Sequence, residues 1–132
     1  MRTNLFFQQA GFLQDHAQSK YSQMYRIASG GQAYVAAALD KRTCEIVALK
    51  VCLNQEMLPY IKEEVRLLKR LDSHANIVKF ISAEWFPSSS QIALEYCPNT
   101  LRNLIMIARG ECSVNAYCMK EVCLLLACFT PS

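Results

Sequence analysis

The chain reads as an α+β fold, a five-stranded antiparallel sheet with one helix inserted after the third strand and further helices behind it. Three observations predict this. Short β-prone runs alternate with glycine and polar turns from residue 25 onward. Pro59 opens a segment to Leu71 with apolar residues at helical spacing. Two more β-prone runs follow, joined by Phe86-Pro87-Ser88-Ser89-Ser90.

In chain order, residues 1–24 are rich in Gln and Ser and show no sustained period, so a loosely held leader is expected there. Residues 25–28 and 33–39 form a predicted hairpin about Ser29-Gly30-Gly31-Gln32. Asp40-Lys41-Arg42-Thr43 turns the chain into a third strand over 44–53, which is rich in β-branched residues. Ser73-His74-Ala75-Asn76 closes the helix, with His74 in a turn role, and strands are expected at 77–83 and 91–96. Helices are predicted at 100–108 and 113–127, with Thr100 and Ser113 as N-caps. The expected organisation is a leader at 1–24, a sheet-and-helix lobe at 25–97 and a helical region at 98–132.

At 132 residues and 52% apolar content the chain is long and apolar enough for one modest globular domain. Its net charge of +3 is spread over several segments, which excludes the basic footprint of a nucleic-acid binder. No apolar run approaches the roughly 18 residues of a membrane span, the longest being 122–129. The seven cysteines contain no C-x-x-C, which argues against zinc. Cys118, Cys123 and Cys128 recur every five residues, a step of about 140° on a helix, and read as small buried hydrophobes. An odd cysteine count without a secretory signal places the chain in a reducing, cytoplasmic compartment.

Chemistry enters at Val47-Ala48-Leu49-Lys50. Alternate strand residues share a face, so Lys50 lies with Ile46, Ala48 and Cys52 and interrupts an otherwise apolar side. A buried ammonium there needs a route to water or an anion. Counting about 100° per residue from Ile61, Leu68 falls at about 340°, Glu64 at about 300°, Leu71 at about 280° and Val65 at about 40°. Glu64 therefore sits within the apolar arc, whereas Glu63, at about 200°, joins Arg66 and Arg70 on the polar side. An inward carboxylate and an inward ammonium answer each other, and such a pair orients an ammonium towards phosphate oxygens.

With these residues in place, the chain resembles the small lobe of a eukaryotic protein kinase. Val47-Ala48-Leu49-Lys50 matches the Val-Ala-Ile-Lys motif, and Glu64-Val65-Arg66-Leu67-Leu68-Lys69-Arg70-Leu71 resembles the regulatory helix that follows it. His74-Ala75-Asn76-Ile77-Val78 and Ile92-Ala93-Leu94-Glu95-Tyr96-Cys97 are similar to the run into strand four and to strand five with the hinge. The resemblance implies an ATP site in which Lys50 and Glu64 address the phosphates and Val35 and Ala48 cover adenine. It also makes Leu94 the gatekeeper and gives the backbone of Glu95 and Cys97 the adenine edge. Gly30 and Gly31 form the phosphate loop, which departs from the family pattern by carrying Ala28 and Ala33 where glycines stand. Ala33-Tyr34-Val35, Asn76-Ile77-Val78-Lys79-Phe80 and Glu95-Tyr96-Cys97-Pro98 are similar to the IκB-kinase-related branch that includes TANK-binding kinase.

The family's catalytic base and magnesium ligand are aspartates that follow the hinge. The aspartates here are Asp15, Asp40 and Asp72, and Glu111 and Glu121 have no catalytic-loop context. The expectation is thus a serine/threonine kinase fragment, truncated early in the large lobe and inactive alone. ATP should bind weakly, and the ligands for the family's magnesium are absent. Val122, Leu125, Leu126 and Phe129 would offer an apolar helical face to a protein partner. The alternative is a non-catalytic interaction module on the same lobe.

Overall fold

Strand β3 (Ile46–Cys52) is the middle strand of a five-stranded sheet. In the computed structural model, which describes residues 2–99 and 101–110, the elements run as α1 (Arg2–Gln18), β1 (Tyr21–Ser29), β2 (Ala33–Asp40) and β3. A 3₁₀ turn (Gln55–Met57) leads into α2 (Leu58–Leu71), followed by β4 (Phe80–Trp85), β5 (Ser90–Glu95) and α3 (Leu101–Ala108). The five strands form one antiparallel sheet in the order β1-β2-β3-β5-β4. The predicted α+β class with one helix after the third strand is therefore what the chain adopts. The molecule divides into Met1–Tyr96, which holds the sheet, and Cys97–Ser132, which holds α3.

Each face of the sheet has its own core. Tyr21, Tyr34, Ala36, Ala38, Val47, Leu49, Val51 and Ala93 form one cluster, against which Phe12 of α1 packs. Cys52, Ile61, Val65 and Ile92 form the other, with Ala33, Met57, Leu68, Phe80, Ala83 and Leu94 around them. Burying both faces explains why β3 reads as a nearly continuous apolar run. The helical phase of α2 follows from the same demand, since Ile61 and Val65 are its buried residues. Leu71, placed in the apolar arc by periodicity, is instead 44% exposed. Cations on α2 lie over β4 rings and tie the helix to the sheet edge, with Lys69 Nζ 5.5 Å from the Phe80 centroid and Lys62 Nζ 5.8 Å from that of Trp85. His74 takes the expected turn role, its Nδ1 accepting from the Asn76 amide at 3.2 Å.

Three expectations are corrected. The leader predicted over 1–24 is the helix α1 followed by the start of β1 at Tyr21, not Tyr25. Periodicity missed α1 because polar groups hold it: the buried Asp15 carboxylate accepts from the Ser88 amide at 3.1 Å and the Ser89 hydroxyl at 3.0 Å. Strand β3 begins at Ile46 and not at 44, because Cys44 has φ +60°, a left-handed conformation that closes the turn after β2. Strand β4 begins at Phe80 and not at 77, its first amide bonding to Asp72 Oδ1 at the end of α2. The helix predicted at 113–127, its cysteines, its exposed apolar side chains and the Thr100 cap lie outside the described residues.

The turn between β2 and β3 generates a pH-dependent expectation. Asp40 accepts backbone bonds from Arg42 at 2.8 Å and Thr43 at 3.2 Å, which hold its carboxyl below the ordinary value of 3.8. A depressed folded-state pKa stabilises the fold above 3.8 and ceases to do so as pH falls through the lowered value. Asp40→Ala is expected to lower the melting temperature at neutral pH. Thermal melts at descending pH should show that difference shrinking below 3.8.

Candidate functional site

Strand register assembles the site on the α2 face of the sheet. Lys50 stands opposite Val35 on one side and Ile92 on the other, while Ala48 stands opposite Ala37 and Leu94. Residues directly opposite in antiparallel strands project to the same face, so Val35, Ala48, Lys50 and Leu94 share one surface. Ile92 and Ala37 complete that surface and escaped the sequence reading. The missing signal was pairwise register, which hydrophobic pattern does not supply until the turns are known.

Over this surface, α2 brings down Glu64. The Lys50 ammonium bonds both carboxylate oxygens, at 2.8 Å to Oε1 and 2.7 Å to Oε2. An ammonium has three N–H donors, so the two bonds to Glu64 leave one for a further acceptor. The side chains are 29% and 38% exposed, so water screens the pair and its contribution to stability is small. Its effect is geometric: a flexible four-carbon stem is held in one direction. Glu63 turns to solvent and pairs with Arg66, donors at 2.8 and 2.6 Å. That exposed pair lowers the Glu63 pKa through the Arg66 hydrogen bond and raises that of Arg66. The helix therefore separates its adjacent carboxylates as the wheel predicts.

Other predicted residues are placed differently. Gly30 and Gly31 form the tip between β1 and β2, where the Gly30 amide bonds the Ala33 carbonyl at 2.9 Å. Neither has positive φ, and a Cβ at Gly31 would meet nothing within 4 Å, so the fold itself does not demand glycine there. Both line a cavity of about 780 Å³ whose floor includes Tyr34 and Val51, residues of the α1-side core. Lys50 is not among the residues that line it. The Glu95 amide is already bonded to the Lys79 carbonyl at 2.9 Å, so its N–H is not free for a ligand. Cys97 is exposed and begins the second unit. Among the described residues no group of three or more His, Cys, Asp and Glu could hold a metal ion, and no helix is long and apolar enough to cross a membrane.

Comparison with known proteins adds an independent line. The protein kinase domain family matches residues 21–126. A "probable serine/threonine-protein kinase" of Dictyostelium discoideum is 35% identical over 78 residues, 54% of this chain and 7% of that protein. Human cyclin-dependent kinase-like 4 is 30% identical over 88 residues, 64% of this chain and 23% of that protein. The chain thus corresponds to under a quarter of the length of either relative.

The weak energetic role of the ion pair is testable against its neighbours in the fold. Glu64→Gln is expected to change stability by less than about 1 kcal/mol. Ile61→Ala, in the buried seam of α2, should cost about 2–5 kcal/mol. Urea melts of the two variants make the comparison.

Proposed function

The chain belongs to the protein kinase family, and from that premise we propose that it is the nucleotide-binding lobe of a protein serine/threonine kinase. The observation that carries this reading is the Lys50–Glu64 pair, an ammonium fixed by both oxygens of one carboxylate on a face that also presents Val35, Ala48 and Leu94. In this reading Val35 and Ala48 hold the adenine ring, Leu94 bounds its inner edge, and the Glu95 carbonyl meets its polar edge. Lys50 meets the phosphates with its remaining donor while Glu64 holds it in place. The Gly30-Gly31 tip covers the phosphates less closely than a loop with three glycines, since Ala28 and Ala33 carry Cβ atoms at its ends.

The reaction of the family moves the γ-phosphoryl group of ATP to a serine or threonine hydroxyl. The residues present here bind and orient; none takes the hydroxyl proton, because the sequence holds no aspartate after Asp72. We therefore propose that these 132 residues alone bind ATP weakly and do not turn it over. Magnesium, which the family uses to offset phosphate charge, would find no aspartate after Asp72 in this chain to hold it. The IκB-kinase-related branch is the finer placement, supported by Ala33-Tyr34-Val35 and Glu95-Tyr96-Cys97-Pro98. A cytoplasmic location is supported by Cys44 and Cys52, both free thiols.

A second reading, a non-catalytic interaction module, is favoured by one observation. Tyr60, Leu67 and Leu71 are 69%, 44% and 44% exposed, and about 100° per residue places them on one stripe of α2 beside Glu64. An apolar stripe left in water suits a protein partner.

Titration calorimetry separates the readings. The nucleotide-lobe reading expects weak ATP binding that Lys50→Ala reduces and magnesium changes little, with no phosphate transferred to a generic serine/threonine peptide. Tight, strongly magnesium-dependent binding would reveal a metal site beyond the residues named here. Absence of ATP binding by a folded sample would favour the interaction module.

A further inference from the structure

The glycine tip between β1 and β2 is joined to the entry of α2 by one side chain that bonds in both directions. Asn54 Oδ1 accepts from the Glu56 amide at 3.0 Å and caps the 3₁₀ turn that leads into α2. Its Nδ2 donates to Gln32 Oε1, on the tip, at 2.9 Å. The backbone fixes the polarity of this arrangement: an amide N–H can only donate, so Asn54 must turn its oxygen to Glu56 and its NH₂ to Gln32. Cys52, which stands opposite Ala33 in the β2–β3 register, is 2% exposed and places its Sγ 3.4 Å from the Gln32 carbonyl oxygen and 3.5 Å from that of Asn54. Met57, at the start of α2, makes no side-chain cap bond, so Asn54 supplies the side-chain cap of this entry. The bond from the Gly30 amide to the Ala33 carbonyl closes the tip on itself and does not tie it to the helix.

We propose that Asn54 and Gln32 are positioning residues of the nucleotide site, coupling the Gly30-Gly31 tip to the helix that carries Glu64. The inference rests on the nucleotide-lobe reading, in which the tip covers the phosphates and Glu64 holds the Lys50 ammonium that meets them. Both parts of the phosphate machinery then start from one residue: the tip through Gln32, and α2, with Glu64 on it, through the capped turn. A glycine tip without the tie would sample many positions and would have to be ordered by the phosphates themselves. Tied, it is ordered beforehand and in register with the start of α2. Adenosine, which has no phosphates, gains nothing from the tie. Gln32 is exposed and Asn54 half-buried, so the bond competes with water and its effect is a few-fold change and not an all-or-none one.

The test uses the full chain, unmodified and as Gln32→Ala, Asn54→Ser and the double variant. Serine is a good N-cap but too short to reach Gln32, so each single variant removes the tie and leaves the cap. Calorimetric titration with ATP and with adenosine is expected to show about threefold weaker ATP binding in each single variant, no further loss in the double, and unchanged adenosine binding. Losses that add in the double variant, equal losses for adenosine, or unchanged ATP binding would overturn the proposal. Amide exchange read by NMR supplies an arm that needs no nucleotide. Gln32→Ala, a change made on the tip, should speed exchange of the Glu56 and Met57 amides by about threefold while Val65 keeps its protection. A folded unmodified chain that binds neither ATP nor adenosine would sink the nucleotide-lobe reading, and the exchange arm then decides the coupling by itself: unchanged exchange at Glu56 and Met57 would overturn it.

Discussion

The antiparallel register of β2, β3 and β5 is the constraint on which the rest of the lobe depends. Lys50 opposite Val35 and Ile92, and Ala48 opposite Leu94, are consequences of one alignment. A slip of one residue would send Lys50 to the other face, beneath Phe12 and α1, and carry Leu49 to the α2 side. Because both faces are buried, such a slip would place the ammonium in an apolar core and part it from Glu64. The register is thus enforced by burial, and Glu64 finds its partner because the sheet has already chosen the face.

The two coverings of the sheet are built on different physics. Helix α2 is held by apolar packing of Ile61, Val65 and Leu68 with cation–π contacts to β4, interactions that tolerate small shifts of the helix. Helix α1 is held, in its described part, by directional hydrogen bonds to the β4–β5 loop and to Glu84 with one aromatic anchor. Directional bonds fail over a short distance, whereas apolar contacts weaken gradually.

This division also accounts for what could be read from the order of amino acids. The wheel position of Glu64 was legible because α2 buries an ordinary apolar stripe, and the same stripe put Glu63 in solvent with Arg66. The hairpin between β1 and β2 was legible from its glycine turn, and β3 from its β-branched run. Helix α1 was not, since Gly11, Asp15 and Ser19 acquire meaning only once Ser88, Ser89 and Glu84, more than sixty residues away, are brought beside them. The start of β3 was misread because a cysteine in left-handed conformation carries no mark in sequence that a glycine would.

By itself the sequence determined the α+β class, the strand and helix that carry Lys50 and Glu64, and the family resemblance those residues share, because each rests on local period and motif order. The tertiary structure decided that both oxygens of Glu64 meet Lys50, that Val35 and Leu94 stand on the same surface, and that a helix covers the opposite face. Those outcomes depend on contacts between residues distant in the chain, and such contacts are selected by burial of the whole sheet, a quantity no local stretch contains.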